Sequence, residues 1–206
     1  DYLGFAQGFD RFDTYDYSDA DTVNREAFAR LDDLAGESSP FLLYLHYMDP
    51  HAPYKPPREY REMFEGPVEY RDYPDKDLKR INRYDGEIRY WDTKLGELFD
   101  ELEARAIYDD AIIVITSDHG DGFMEHGFIS HSTTPYDELV RIPLLIKFPD
   151  SKHAGRRVSE QVRAVDLAPT LVELVGALEM KGVDGRSLLP LVEDTSEADH
   201  PGHAFV

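Results

Sequence analysis

The stretch Ala111–His131, AIIVITSDHGDGFMEHGFISH, constrains this chain more than any other. Ala111 to Thr116 is an unbroken aliphatic and β-branched run. A run this short and this apolar predicts a strand buried on both faces, as in parallel sheets. It breaks at Ser117-Asp118-His119-Gly120, so a carboxylate and an imidazole stand side by side where strand gives way to loop. In open α/β sheets, ligands bind beyond that carboxyl edge. The loop adds Asp121, Glu125, His126 and His131, with glycines at 120, 122 and 127 to permit tight turns.

Elements of both periods surround this strand. Thr22 to Ala35 carries Val23, Ala27, Leu31 and Leu34 on one helical face and stops at Gly36. Phe41 to Tyr47 reads as a second buried strand, and the four prolines of Met48 to Pro57 then exclude helix and central strand. Residues 58 to 75 form a charged, aromatic excursion with the character of a lid. From Lys76 to about Ala106, Ile81, Tyr84, Ile88, Trp91, Leu95, Leu98 and Leu102 mark one stripe of a long helix. Ile142 to Phe148 predicts a strand and Gln161 to Val165 a short one. Asp166 stands at the N-cap of a helix running to Val175 and closed by Gly176, and Ser187 caps a short helix to Val192. Strands alternating with helices predict an α/β domain over residues 1–206, with a mainly parallel sheet flanked by helices. Residues 1–20 read as surface loop and 193–206 as a truncated polar tail.

Charge narrows the partners. Of 206 residues, 42 are acidic and 22 basic, a net charge of −20. Nucleic-acid binding needs clustered Lys and Arg, so a nucleic-acid partner is excluded. Acidic residues spread along the whole chain are those of a protein kept soluble in high salt, where self-repulsion is screened. The expected setting is the cytoplasm of a salt-adapted organism. No apolar run reaches the ~20 residues of a membrane span. Without cysteine there is neither a disulfide nor a thiolate metal site.

Asp118 and His119 are the first candidates for chemistry. Asp offers a hard oxygen and His a borderline nitrogen, so together they can hold a divalent cation. Two adjacent residues cannot close its coordination shell, and the remaining ligands must come from elsewhere. His51 lies in Asp49-Pro50-His51-Ala52-Pro53-Tyr54, where prolines on either side restrict its backbone. An imidazole there can contact an anionic oxygen or protonate a leaving group. His131 closes the glycine-bearing loop and offers a second contact to the same anion. Glu125 and His126 shape that loop.

Taken together, five ordered blocks resemble the sulfatase family of the alkaline phosphatase superfamily: FLLYLHYMDPHAPYKPP, YDGEIRYWDTKLGELFDEL, IIVITSDHGDGFMEHG, YDELVRIPLLIKFP, and VDLAPTLVELVGA with DGRSLLPL. The resemblance implies an alkaline-phosphatase-like fold and a sulfuric ester hydrolase acting on a sulfate-ester small molecule or glycan. It places Asp118 and His119 as ligands of one divalent ion, His51 against the sulfate and leaving group, and His131 near the sulfate oxygens. Many sulfatases carry Asn where this chain has His119. Calcium remains the first expectation for the metal, with manganese or zinc favoured somewhat more by the imidazole.

The family's formylglycine nucleophile arises from Cys or Ser in a Cys/Ser-x-Pro-x-Arg segment, and this sequence has none. The expectation is an incomplete, middle-to-C-terminal piece of a longer enzyme, inactive alone and partnered by an N-terminal part of the same enzyme. Two other readings are a phosphodiesterase, phosphonate hydrolase or phosphoglycerol transferase of the superfamily, and a non-catalytic binding domain on the same fold.

Overall fold

A computed structural model describes residues 4–15, 18–36, 39–64, 74–131, 134–178 and 180–194. They form two compact units, one from Asp1–Tyr108 with Gly122–Ser130, the other from Asp109–Asp121 with His131–Val206.

The first unit is helical. Helix α1 spans Ala20–Asp33, and the Asp19 carboxylate caps it by accepting the Thr22 N–H at 2.9 Å. Its buried face, Ala20, Val23, Asn24, Ala27 and Leu31, packs on α3, Asp75–Ala104. Asn24 is the polar pin of this contact. Its amide donates to the Lys94 carbonyl at 2.6 Å and its oxygen accepts the Tyr47 hydroxyl at 2.7 Å. Helix α2, Arg58–Glu62, lies across α3, with the Tyr60 and Tyr90 rings 5.3 Å apart. A two-residue hairpin, β2 (Gly122–Phe123) and β3 (Ile129–Ser130), completes this unit.

The long helix has the expected extent but a different buried face. Its buried residues are Asp77, Asn82, Gly86, Glu87, Tyr90, Leu98 and Leu102, whereas Ile88 is exposed. The apolar period therefore locates the stripe only in the C-terminal half. In the N-terminal half the inward face is polar or small, which hydrophobic spacing cannot register.

In the second unit, β1 (Ile113–Thr116) pairs with β4 (Leu144–Lys147) from Ile113↔Lys147 to Thr116↔Leu144. Helix α4, Asp137–Val140, precedes β4, and α5, Leu167–Leu174, and α6, Leu189–Glu193, follow it. Asp166, wholly buried, ties this end together. Its carboxylate accepts the Arg163 guanidinium at 2.9 Å and the amides of Arg163 and Arg186 at 2.9 Å each. The Thr170 hydroxyl donates to the Asp166 carbonyl and accepts from the Leu188 N–H. Asp166 thus stands at the N-cap, as its position predicts, but its side chain binds outside the helix.

The α/β class holds, but both strand ladders among the described residues are antiparallel, against the expected mainly parallel sheet. The apolar run does mark a strand, but Ile113 to Ile115 are only half-buried and Thr116 is exposed, against the expected burial on both faces, and the direction of its partner depends on which distant segment reaches it. Phe41–Tyr47 carries no ladder among the described residues, and Leu42 and Tyr44 are exposed. The strand expected at 161–165 is instead a 3₁₀ turn at Ala164–Asp166. The excursion at 58–75 contributes α2, while 65–73 and, in the tail, 195–206 lie outside the described residues. None of the described helices is long and apolar enough to cross a membrane.

Candidate active site

Strand β1 delivers Asp118 and His119 two residues past its end. The Asp118 Oδ1 accepts the His119 backbone N–H at 2.9 Å, leaving Oδ2 exposed and 3.8 Å from His119 Nε2. His119 Nδ1 lies 2.7 Å from the Gly120 carbonyl. A carbonyl only accepts, so Nδ1 carries the proton and Nε2 of the neutral ring keeps its lone pair. A metal-binding imidazole is oriented by this same kind of backbone contact.

What fixes the pair is Gly120. Its N–H donates to the Leu139 carbonyl at 2.8 Å, and a Cβ on it would lie 2.0 Å from the Glu138 carbonyl oxygen. The loop glycines thus divide by role. Only Gly127 has a positive φ, +82°. Gly120 and Gly122 serve close approach, the latter against the Phe128 ring.

His131 is brought to the same place. Its ring packs tilted against that of His119, with centroids 4.0 Å apart and planes 32° from parallel, and its Nδ1 lies 3.6 Å from Asp121 Oδ1. The Asp121 side chain is 7% exposed, so it faces the imidazole from the protein side. Asp118, His119, Asp121 and His131 therefore form one cluster within the second unit. Sequence reading noted Asp121 in the loop but gave it no part; its burial beside an imidazole is a tertiary fact. Among the described residues, no group of three or more His, Asp or Glu side chains is spaced to hold a metal ion.

His51 belongs to the first unit. Its Nδ1 sits 2.6 Å from the Ala52 carbonyl, which only accepts, so Nδ1 carries the proton of the neutral ring. The loop that carries it is fastened to α3. Tyr54 is buried with its ring 5.4 Å from Tyr84, and Phe123 of the hairpin packs on both. Glu87 accepts the Lys55 N–H. The Asp49 carboxylate accepts the Ala20 N–H at 2.8 Å, fixing the start of the loop to α1. Glu125 turns back onto the Phe123 N–H at 2.5 Å, the loop-shaping role its position predicts.

The family comparison agrees with these blocks. The sulfatase family model matches residues 2–177. The chain belongs to the sulfatase family. It is 28% identical over 215 residues to the extracellular sulfatase SULF-1 homolog of Drosophila melanogaster, covering 93% of this chain and 19% of that protein. It is 35% identical over 160 residues to the low-salt glycan biosynthesis sulfotransferase Agl7 of Haloferax volcanii, covering 75% of this chain and 38% of the relative. Among solved structures, Ps i-CgsB in complex with k-i-k-neocarrahexaose superposes with a TM-score of 0.69 at 29% identity, over 85% of this chain and 39% of that one. The chain thus spans less than half the length of each of these relatives.

Proposed function

We propose that the whole protein is a metal-dependent sulfatase that hydrolyses sulfate esters of a glycan or small molecule, and that this chain supplies part of its centre. The observation that carries this reading is His119: its Nδ1 is committed to the Gly120 carbonyl, its Nε2 is open, and the free Asp118 Oδ2 stands beside it. One oxygen and one nitrogen fit a divalent ion as part of its shell, and further ligands complete it. Calcium is the first candidate, and the imidazole admits manganese or zinc. When bound, the ion draws negative charge from the sulfate oxygens in the transition state.

The residues of this chain divide the remaining work. Asp118 and His119 hold the ion. His131, backed by Asp121, presents an imidazole to a sulfate oxygen. With its Nδ1 proton held by the Ala52 carbonyl, His51 takes up a second proton at Nε2, hydrogen-bonds the ester oxygen through it and gives that proton to the departing alcohol oxygen. The nucleophile is expected as formylglycine in the rest of the protein, because this sequence has no cysteine and no Ser-x-Pro-x-Arg segment. This chain alone is inactive on that reading. The abundance of acidic side chains supports work in concentrated salt.

Similarity to a protein named as a glycan sulfotransferase favours one second reading, transfer of the sulfuryl group to a sugar hydroxyl instead of water. The deciding experiment incubates the whole protein with a sulfated oligosaccharide, with and without an acceptor sugar, and follows free sulfate by ion chromatography. Free sulfate that depends on a divalent ion supports hydrolysis. Sulfated acceptor without free sulfate supports transfer. Turnover confined to phosphodiesters or phosphonates overturns both, and no turnover together with no thermal shift from any divalent ion points to a binding domain.

A further inference from the structure

Glu87 lies at the middle of α3 with 5% of its surface exposed, an unusual place for a carboxylate with no cationic partner among the described residues. One oxygen accepts the Lys55 backbone N–H, and the His51 N–H also stabilises the charged carboxylate. Its other oxygen is buried with no hydrogen-bond partner among the described residues. The loop has little freedom to sit elsewhere. At Gly86 a Cβ would lie 3.0 Å from Pro56 Cγ and 3.2 Å from the Tyr60 carbonyl, so loop and α2 rest directly on the helix backbone. One turn earlier, Tyr84 takes the Tyr54 ring. Burial pushes Glu87 up to about 7 and the charge of Asp49 pushes the same way, while the two amides of the loop oppose them. Removing a carboxylate from water is costly. A plain packing role would be filled as well by an apolar side chain, whereas only an acceptor at this point holds the backbone on either side of Ala52-Pro53.

We propose that Glu87 is the positioning residue of His51: its carboxyl grips the loop backbone at residues 51 and 55 and so fixes where the His51 Nε2 is presented. This rests on the reading of His51 as the group that meets the ester. Glu87 touches neither substrate nor metal in this scheme. It acts through the loop, as oriented groups within reach of a reacting atom require a rigid support.

The test compares Glu87→Gln, Glu87→Asp and Glu87→Ala in the whole protein. Gln retains an acceptor at the same reach, Asp retains charge but falls short, and Ala removes both. Backbone amide exchange of His51 and Lys55 accelerates at least about tenfold in the Asp and Ala variants, as loss of about 1.4 kcal/mol of protection requires, and stays near wild type in Gln. On a sulfate ester, kcat falls by a similar factor in Asp and Ala with KM little changed, and Gln restores it. Unchanged exchange in Glu87→Ala overturns the proposal, as does a Gln variant no better than Ala. If Ala does not fold, the Asp and Gln pair decides alone. A wild-type protein that turns over no sulfate ester refutes the functional reading, while amide exchange still decides whether Glu87 holds the loop.

Discussion

Gly120 and Gly96 carry the same substitution to opposite outcomes. A Cβ at Gly120 meets the Glu138 carbonyl oxygen at 2.0 Å, about 1 Å inside the closest approach that real Cβ atoms make. Backbone does not yield like a side chain, so the turn after His119 must move and its N–H to the Leu139 carbonyl must lengthen. Overpacking costs about 1–3 kcal/mol and the strained hydrogen bond about 1 more, so Gly120→Ala is expected to destabilise by about 2–4 kcal/mol. Gly96 is exposed on α3 with nothing within 4 Å of its Cβ position. There alanine lowers the entropy lost on folding, and Gly96→Ala is expected to stabilise by roughly 0.5–1 kcal/mol. Urea midpoints of the two variants in the whole protein measure the difference. A thermal shift with calcium or manganese then reports whether Asp118 and His119 remain aligned, and Gly120→Ala is expected to weaken it. Gly120→Ala within about 0.5 kcal/mol of wild type, or both variants shifting the same way, would refute the close-packing account.

Three further outcomes follow from named groups. Glu87 titrates at about 7 in the folded protein against an ordinary value of 4.5, so between those values the folded state holds the extra proton. Its contribution to stability is full below about 4.5 and is lost as pH rises through about 7, by about 3 kcal/mol at most; Glu87→Gln removes that slope, and a pH-independent difference between the two proteins rules it out. Asp166 behaves oppositely. Burial alone would raise it, but hydrogen bonds from the Arg163 guanidinium and the Arg186 and Arg163 amides hold it below the usual carboxylate range, so its stabilisation is lost as acid protonates it. Asp166→Ala removes the buried acceptor of the Arg163 guanidinium and of the Arg163 and Arg186 amides and is expected to cost about 1–3 kcal/mol by chemical denaturation, and no measurable cost contradicts this anchoring role. His119→Ala and Asp118→Ala are expected to abolish the divalent-ion thermal shift, which for wild type at a hundredfold excess over Kd reaches about 2.7 kcal/mol; retention of the full shift in both removes them as ligands.

Local chemistry was legible where it was strong in the sequence itself. The apolar run that breaks at Ser117 marks β1, the period of Val23, Ala27 and Leu31 with the stop at Gly36 marks α1, and the spacing of Leu98 and Leu102 marks the lower half of α3. The DHG turn and the histidine at 131 stand out as residue types before any geometry is known. Period and composition report on a residue's own environment, so they reach that far. They do not report partners. Only the folded chain turns β1 and β4 antiparallel, rotates Gly86 and Glu87 rather than Ile88 inward, backs His131 with Asp121, and shows that Gly120 is needed for proximity to Glu138 rather than for a left-handed turn. Each of these depends on a contact between residues distant in sequence, and a contact of that kind leaves no mark on either residue alone.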